Sequence, residues 1–508
     1  MTTALFDTLL QPRAVAIVGA SDNPHKVGGR PLRYLLEQGY AGRVYPVHPR
    51  QASVQGVAAH ATLADLPERP DVAILCVGAE QAEAQLDACA RLGIPNALLF
   101  ASGYAEVGAE GLARQHRLAS ICRAGGTRLL GPNSIGVASF DSGALLSFAS
   151  IYSDVAPLDG PVAIVSQSGA FGVSAYALLR AAGIGVRCVA ATGNEADLDA
   201  ADFIAALAPR PGVRLLLLYL EDVKDTGRMR HALAIARACD VAVLAVRAGR
   251  SGTGRLAAQA HTGAGGAAGK ALDALFEAGG CRTVEHLHEL VESVPLYLDT
   301  WRRTGDRSSA MPGAPRADRD AALPASARTG PAPRIGIVSN SGAACVLAAD
   351  AAERLGLALA ALERSSIDRL DRLLPSFSRG RNPIDLTAML LADPALLGAT
   401  MACVMDDGNL DAAVLGLLAI GGSSYDVPRF AAEARAAAVR SGRPLVVFSP
   451  HPHVREAFAQ AGVAVFRHEV EALVALEAFL AHRGAAGDAS SSPPGNERSP
   501  SGQELERA

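Results

Sequence analysis

His261 sits in the run Ala260-His261-Thr262-Gly263-Ala264-Gly265-Gly266-Ala267-Ala268-Gly269, where nothing bulky nearby would shield an imidazole. A neutral imidazole is a nucleophile toward phosphorus and can carry a phosphoryl group. Glycine neighbours would let such a loop approach or move between sites. Glu221 ends the apolar run Leu215-Leu216-Leu217-Leu218-Tyr219-Leu220. A carboxylate at the C-terminal end of a parallel strand lies on the ligand-binding edge of its sheet. From there it could orient an imidazole and favour its protonated or phosphorylated form. Ser166-Gln167-Ser168-Gly169 opens a helix pattern; Ser168 can cap that helix, and the free N–H groups beyond it can hold an oxyanion. The loop from Gly19 to Gly29 also runs from strand through Gly-rich turn to helix, where open α/β sheets hold phosphates. It is not a GxGxxG, so it favours a nucleotide-like ligand without naming one. Each feature also has a plainer reading: a surface histidine, a strand-end charge facing water, a simple N-cap, a tight turn. Gly193-Asn194-Glu195-Ala196-Asp197 is turn-like and reads as structural.

These residues need elements to position them, and the hydrophobic pattern supplies them. Val15–Val18, Val44–Val47, Val72–Val77 and Ala97–Phe100 are short continuous apolar runs bounded by turn residues. Such runs predict parallel strands covered on both faces. With helix patterns between them they make a doubly wound α/β unit over residues 1–150. A second series, Val162–Val165, Val186–Ala191, Leu215–Leu220 and Val241–Val246, predicts another α/β unit over 151–303. Residues 304–333 lack apolar periodicity and read as a flexible linker. A third series, with Ile335–Val338, Ala412–Leu418 and Pro444–Phe448, fills 334–482, and the Ser/Pro/Gly/Glu-rich tail 483–508 reads as disordered. The second and third units each open on a strand ending in Ser-(Gln/Asn)-Ser-Gly-Ala, at 166–170 and 339–343. That match suggests two related flavodoxin-like units.

Composition narrows the partners. A chain of 508 residues suits about three domains. Its net charge of −4 gives no reason to expect nucleic acid, and 5% aromatics disfavours base-stacking platforms. The eight Cys are scattered singly, as expected of reduced thiols in a cytoplasmic protein. The N-terminus does not read as a secretory signal, and no apolar run reaches membrane-helix length. An NAD(P)-dependent oxidoreductase is disfavoured by the missing GxGxxG.

Together the motifs resemble one family. Val18-Gly19-Ala20-Ser21, Gly131-Pro132-Asn133-Ser134-Ile135-Gly136, Ser166-Gln167-Ser168-Gly169, Gly193–Asp197, Tyr219-Leu220-Glu221, His261-Thr262-Gly263 and Asn382-Pro383-Ile384-Asp385-Leu386-Thr387 appear in family order. The chain resembles the NDP-forming acyl-CoA synthetases, of the ADP-forming acetate–CoA ligase α-subunit type, related to the succinyl-CoA synthetase α subunit.

The resemblance implies a Rossmann-like CoA-binding domain followed by two flavodoxin-like, succinyl-CoA synthetase-like domains. It implies that Gly19, Ala20, Ser21 and Lys26, then Arg50, then Ser102 and Gly103, are CoA neighbours. His261 would be phosphorylated, Glu221 would steady it, and Ser168 and Gly169 would hold its phosphoryl group. Phe171 and Val173 would meet the acyl group. The substrates would be a small carboxylic acid, CoA and phosphate; no metal site is expected on this chain. ATP or GTP with Mg2+ would bind an ATP-grasp module, which this chain lacks, so a separate β-type subunit is expected. The alternative is a non-catalytic CoA-binding regulatory or scaffold protein of the same fold.

Overall fold

The computed structural model describes residues 7–262, 269–295, 297–298, 332–374, 381–421, 424–477 and 479–480. The side chains of 259–262, 269–271 and 388 also lie outside the described set. So do the expected tail 483–508 and the linker 304–333, apart from residues 332 and 333.

Among the described residues the apolar runs become three parallel sheets with helices on both faces. The first runs Arg43–Val47, Ala14–Val18, Val72–Leu75, Asn96–Leu99, Arg128–Leu130. The second runs Cys281–Val284, Ala242–Arg247, Leu215–Leu220, Val162–Ser166, Val186–Ala191. The third runs Ala358–Leu359, Arg334–Ser339, Ala412–Gly416, Leu445–Phe448, Ala464–Phe466, with Ile384–Asp385 also pairing on Arg334–Ser339. Counted within each unit, all three orders are 2-1-3-4-5, and the strand order reverses between the first and third strands. Ligands bind at that reversal, outside the carboxyl ends of the strands. Every residue of Leu215–Leu220 is buried, as a central strand covered on both faces requires. Each such leucine contributes roughly 1.5–3 kcal/mol by leaving water.

One connection was not anticipated. Strands Gly136–Ser139 and Ala144–Ser147 form an antiparallel hairpin whose first strand pairs with Val186–Ala191, so it extends the second sheet rather than the first. The hairpin precedes residue 150, where the boundary was expected. An apolar cluster containing Leu35, Leu98, Leu146, Val165 and Leu218 binds the first unit to the second. Another, containing Phe171, Leu217, Val246, Val346 and Leu473, binds the second to the third. All eight cysteines are free, and no described helix is long and apolar enough to cross a membrane.

Candidate active site

The first reversal point is the Gly19 loop. Gly19 has φ +79°, and a Cβ there would lie 2.5 Å from the Cys76 carbonyl oxygen. A Cβ on Gly28 would lie 2.3 Å from the Gly19 carbonyl oxygen. Only glycine lets this loop close on itself and on the neighbouring strand end. Ser21 N–H donates to the Gly28 carbonyl at 3.1 Å, and Asn23 Oδ1 accepts from His25 N–H at 2.9 Å.

The second reversal point lies between Ser166 and Tyr219, which are partners in the parallel ladder. Gln167 spans it. Its Oε1 accepts from the N–H groups of Glu221 at 2.6 Å and Asp222 at 3.1 Å, and its Nε2 donates to the Asp222 carbonyl at 2.8 Å. The third unit repeats the device: Asn340 Oδ1 accepts from Leu418 N–H at 2.8 Å, and Asn340 Nδ2 donates to the Leu418 carbonyl. The shared Ser-(Gln/Asn)-Ser-Gly-Ala sequence is thus an amide that fastens two strand ends, followed by a helix cap. Ser168 Oγ accepts from Phe171 N–H at 3.5 Å, and Ser341 Oγ from Ala344 N–H at 3.4 Å.

These features converge on one cavity of about 1310 Å³ at the junction of the three units. Gly19, Ser21, Lys26 and Ser102 line it from the first unit, and Ser168 and Gly169 from the second. Ala20, Arg50 and Gly103 do not line it: Ala20 is buried under the loop and Arg50 is exposed. Gly103 N–H donates instead to Glu106, whose side chain does line the cavity. Val173 lines it too, whereas Phe171 packs inward on Tyr219, with ring centroids 4.3 Å apart.

Glu221 is not among the residues that line the cavity; it is 8% exposed, and its Oε1 accepts from the Tyr219 hydroxyl at 3.0 Å. Position 261 lies in the last turn of helix Gly252–Thr262. Ala257, one turn earlier on the same face, lines the cavity. The His261 side chain and residues 263–268 lie outside the described residues.

The start of that helix is held from the third unit. Asp350, on helix Gly342–Arg354 and 4% exposed, accepts from the N–H groups of Gly249 at 3.0 Å, Arg250 at 3.2 Å and Ser251 at 2.8 Å. Glu353 accepts from Thr253 N–H at 2.7 Å and Gly252 N–H at 3.3 Å, and the Thr253 side chain together with these N–H groups holds its carboxyl below the usual range. Two carboxylates thus meet the positive end of the helix dipole. Gly254 makes the approach feasible, since a Cβ there would lie 1.9 Å from Asp350 Oδ1. Sequence reasoning missed both acids because they lie about a hundred residues from the helix they cap.

It also underrated Glu195. This residue has φ +54° and is buried. Its carboxylate accepts from Thr192 Oγ1 at 2.8 Å, Ala200 N–H at 3.0 Å and Gln167 Nε2 at 3.0 Å. Burial pushes its carboxyl up to about 7, against the pull of Lys224. Through Gln167 it sets the strand end that carries Glu221. Its neighbour Asn194 bonds Asn133, Gln115 and Glu106 of the first unit. The turn-like 193–197 segment is therefore a further tie between units one and two.

Comparison with known proteins places both of the first two units in described families. A family model described as a CoA binding domain matches residues 13–139, and one described as a succinyl-CoA ligase like flavodoxin domain matches 159–297. The fold and the junction cavity thus define a CoA-binding protein with a ligase-type flavodoxin domain. The α subunit of ADP-forming acetate–CoA ligase I of Pyrococcus furiosus is 30% identical over 394 residues, 76% of this chain and 77% of that one. The α subunit of isoform II is 29% identical over 407 residues, 80% of this chain and 81% of that one. ADP-forming acetate–CoA ligase I of Archaeoglobus fulgidus is also 29% identical over 407 residues, but this chain spans only 54% of its length. A solved dinucleotide-forming acetyl-coenzyme A synthetase 1 of Ca. Korarchaeum cryptofilum shares the fold with TM-score 0.54 and 23% identity, over 96% of this chain and all of that one. The chain belongs to the NDP-forming acyl-CoA synthetases, the family of the ADP-forming acetate–CoA ligase α subunits.

Proposed function

We propose that the chain is the CoA- and phosphohistidine-bearing subunit of an NDP-forming acyl-CoA synthetase that makes acyl-CoA, NDP and phosphate from a small carboxylic acid, CoA and NTP. The observation that carries this reading is the shared cavity, in which the CoA loops of the first unit face the Ser168–Gly169 helix start of the second. The relatives' names favour this catalytic reading over a CoA-binding scaffold. A carboxylate oxygen of the acid attacks the phosphorus carried by His261; the N–P bond breaks and an acyl phosphate forms. The CoA thiolate then attacks the acyl carbon, and phosphate leaves with the C–O electron pair. Ser168 and the N–H groups at Gly169 and beyond hold the phosphoryl oxygens, and the helix dipole offsets their charge. Glu221, fixed by Tyr219 and Gln167, steadies the imidazole. Gly19, Ala20, Ser21, Lys26, Arg50, Ser102 and Gly103 form the CoA side, with Gly19, Ser21, Lys26 and Ser102 in the cavity itself.

ATP or GTP, with Mg2+, belongs in this proposal to a separate ATP-grasp β subunit. The complex works in the cytoplasm without nucleic acid or membrane. The test mixes the purified chain with a candidate β subunit, labelled ATP and Mg2+, and looks for acid-labile label on the chain. Label on the wild type and none on His261→Ala is expected. Equal label on both, or none on the wild type, overturns the reading.

A further inference from the structure

Three imidazoles stack across the seam between the second and third units. The outermost strands there, Cys281–Val284 and Ala464–Phe466, each run through a short turn into a helix, Leu287–Glu292 and 469–477. His286 and His468 are the residues that precede those helices. The His288 ring is nearly parallel to that of His286, with centroids 5.4 Å apart, and lies against that of His468, with centroids 3.9 Å apart. Its Nδ1 is buried and has no hydrogen-bond partner among the described residues. Among those residues no group of three side chains is placed to hold a metal ion.

The surrounding charges treat the two ends of this column differently. His286 is 7% exposed, and its Nδ1 lies 2.9 Å from Oε1 of Glu469, which is also 7% exposed. Burial opposes a charge on His286, but the bond to Glu469 and that carboxylate's charge, supported by Glu289, outweigh burial and Arg354 and hold the imidazole above its usual range. At the other end burial, the His288 ring and Arg467 push His468 below its usual range, against Glu469 and Glu471. Glu285 lies 3.9 Å from His286 Nε2 and pairs with Arg250 at 3.1 Å and Arg354 at 3.6 Å, while Glu292 pairs with Arg467 at 3.7 Å. A proton on His286 is therefore matched by a buried carboxylate. A proton on His288 or His468 would add a further positive charge to the same stack, where short separations and partial burial strengthen repulsion.

We propose that this column is a proton-operated latch on the seam between the second and third units, closed while His286 alone carries a proton and released when acid protonates the His288–His468 pair. Glu285 joins the latch to Arg250, which places it beside the lead-in to helix Gly252–Thr262. The closed seam keeps from His468 a proton that an open seam would take up near the usual histidine value of about 6.5. That contribution to closure is complete above about 6.5 and is lost as pH falls below it. His286 acts in the opposite sense: its contribution is complete below about 6.5 and is lost as pH rises through its raised value. Closure is thus strongest near neutrality, with an acid arm set by the pair and an alkaline arm set by His286.

The test is amide hydrogen exchange on the full chain at pH 5.5, 6.5, 7.5 and 8.5, corrected for intrinsic exchange, over residues 285–292 and 469–477. One proton excluded by the closed seam corresponds to wild-type protection about fivefold lower at pH 5.5 than at 6.5. His288→Phe with His468→Phe keeps aromatic faces but cannot titrate, so its protection should be flat over that range. His286→Gln should keep the acid arm and lose the alkaline one. Protection of Leu215–Leu220 at pH 7.5 shows that a variant is folded; if the double variant loses it, His468→Gln, at a half-buried position, should flatten the acid arm in its place. The latch is refuted if the wild type shows no acid arm, if Leu215–Leu220 falls by the same factor, if the folded pair variant keeps the arm, or if His286→Gln abolishes it.

Discussion

Removing the Asp350 carboxylate should loosen the helix that carries His261 while leaving the three sheets intact. In the wild type this side chain takes three backbone N–H groups and the Ser251 hydroxyl. Hydrogen bonds to a charged acceptor contribute about 1.5–3 kcal/mol each, and a buried donor left unmade costs about 1–3 kcal/mol. Four such donors at a site 4% exposed would sum to more than a local refolding would tolerate. The loop 249–251 can instead open to water, which caps the loss for Asp350→Ala at about 3–5 kcal/mol. Asp350→Asn keeps one acceptor oxygen and should lose about 1–3 kcal/mol. The assay is amide hydrogen exchange across residues 249–256. A loss of about 3 kcal/mol corresponds to a protection factor lower by roughly 150-fold, while Leu215–Leu220 should exchange as slowly as before. Gly254→Ala gives an independent check with an inverted sign. Alanine in a helix interior normally adds about 1 kcal/mol over glycine; here its Cβ would collide with Asp350 at 1.9 Å, so protection should fall. Unchanged exchange at 249–256 in both Asp350→Ala and Gly254→Ala, in chains that still bind CoA, would refute the clamp.

Two further predictions concern the other reversal points. Gly28→Ala puts a Cβ 2.3 Å from the Gly19 carbonyl; overpacking at about 1–3 kcal/mol should weaken CoA binding by tenfold or more in calorimetry, with little change in the melting of the remaining units. For Glu195, burial raises the folded-state value from 4.5 to about 7, so folding takes up a proton between those values. Its contribution to stability is complete below about 4.5 and is lost as pH rises through about 7. Thermal melts of Glu195→Gln should lack that component of the pH slope; a slope identical to the wild type's between pH 5 and 8 would contradict it.

The strands were legible because each is a continuous apolar run. Val162–Ser166, Leu215–Leu220 and Arg334–Ser339 appear within a residue or two of where the pattern put them. Ala412–Leu418 shortened to Ala412–Gly416, since residues beyond Gly416 turn to meet Asn340. The hairpin Gly136–Ser147 was not legible: its strands are four residues each and carry Gly, Ser and Ala, which announce nothing by period. Within the site, Ser168, Gly169 and the Gly19 loop could be read because a cap or a turn is a local sequence event. Gln167 was readable only as a letter in a motif, and its function as a strand-end fastener appears only once Tyr219 lies beside Ser166. Asp350 and Glu353 act on residues from another unit, and pattern analysis of neighbouring positions has no access to such pairs.

The hairpin has a mechanical consequence. Because Gly136–Ser139 is laddered to Val186–Ala191, turning the CoA-binding unit away from the second unit would shear a row of backbone bonds at once. Among the described residues the third unit has no such shared ladder. It is attached through helix faces and by separable side-chain contacts, Asp350 and Glu353 on the His261 helix and the Ser174 hydroxyl accepting from Ala419 N–H at 3.0 Å. Helix faces can slide where ladders cannot. The molecule therefore behaves as a stiff arm of two units with one compliant seam, and that seam runs along the wall of the cavity from Ala419 to the start of the histidine helix.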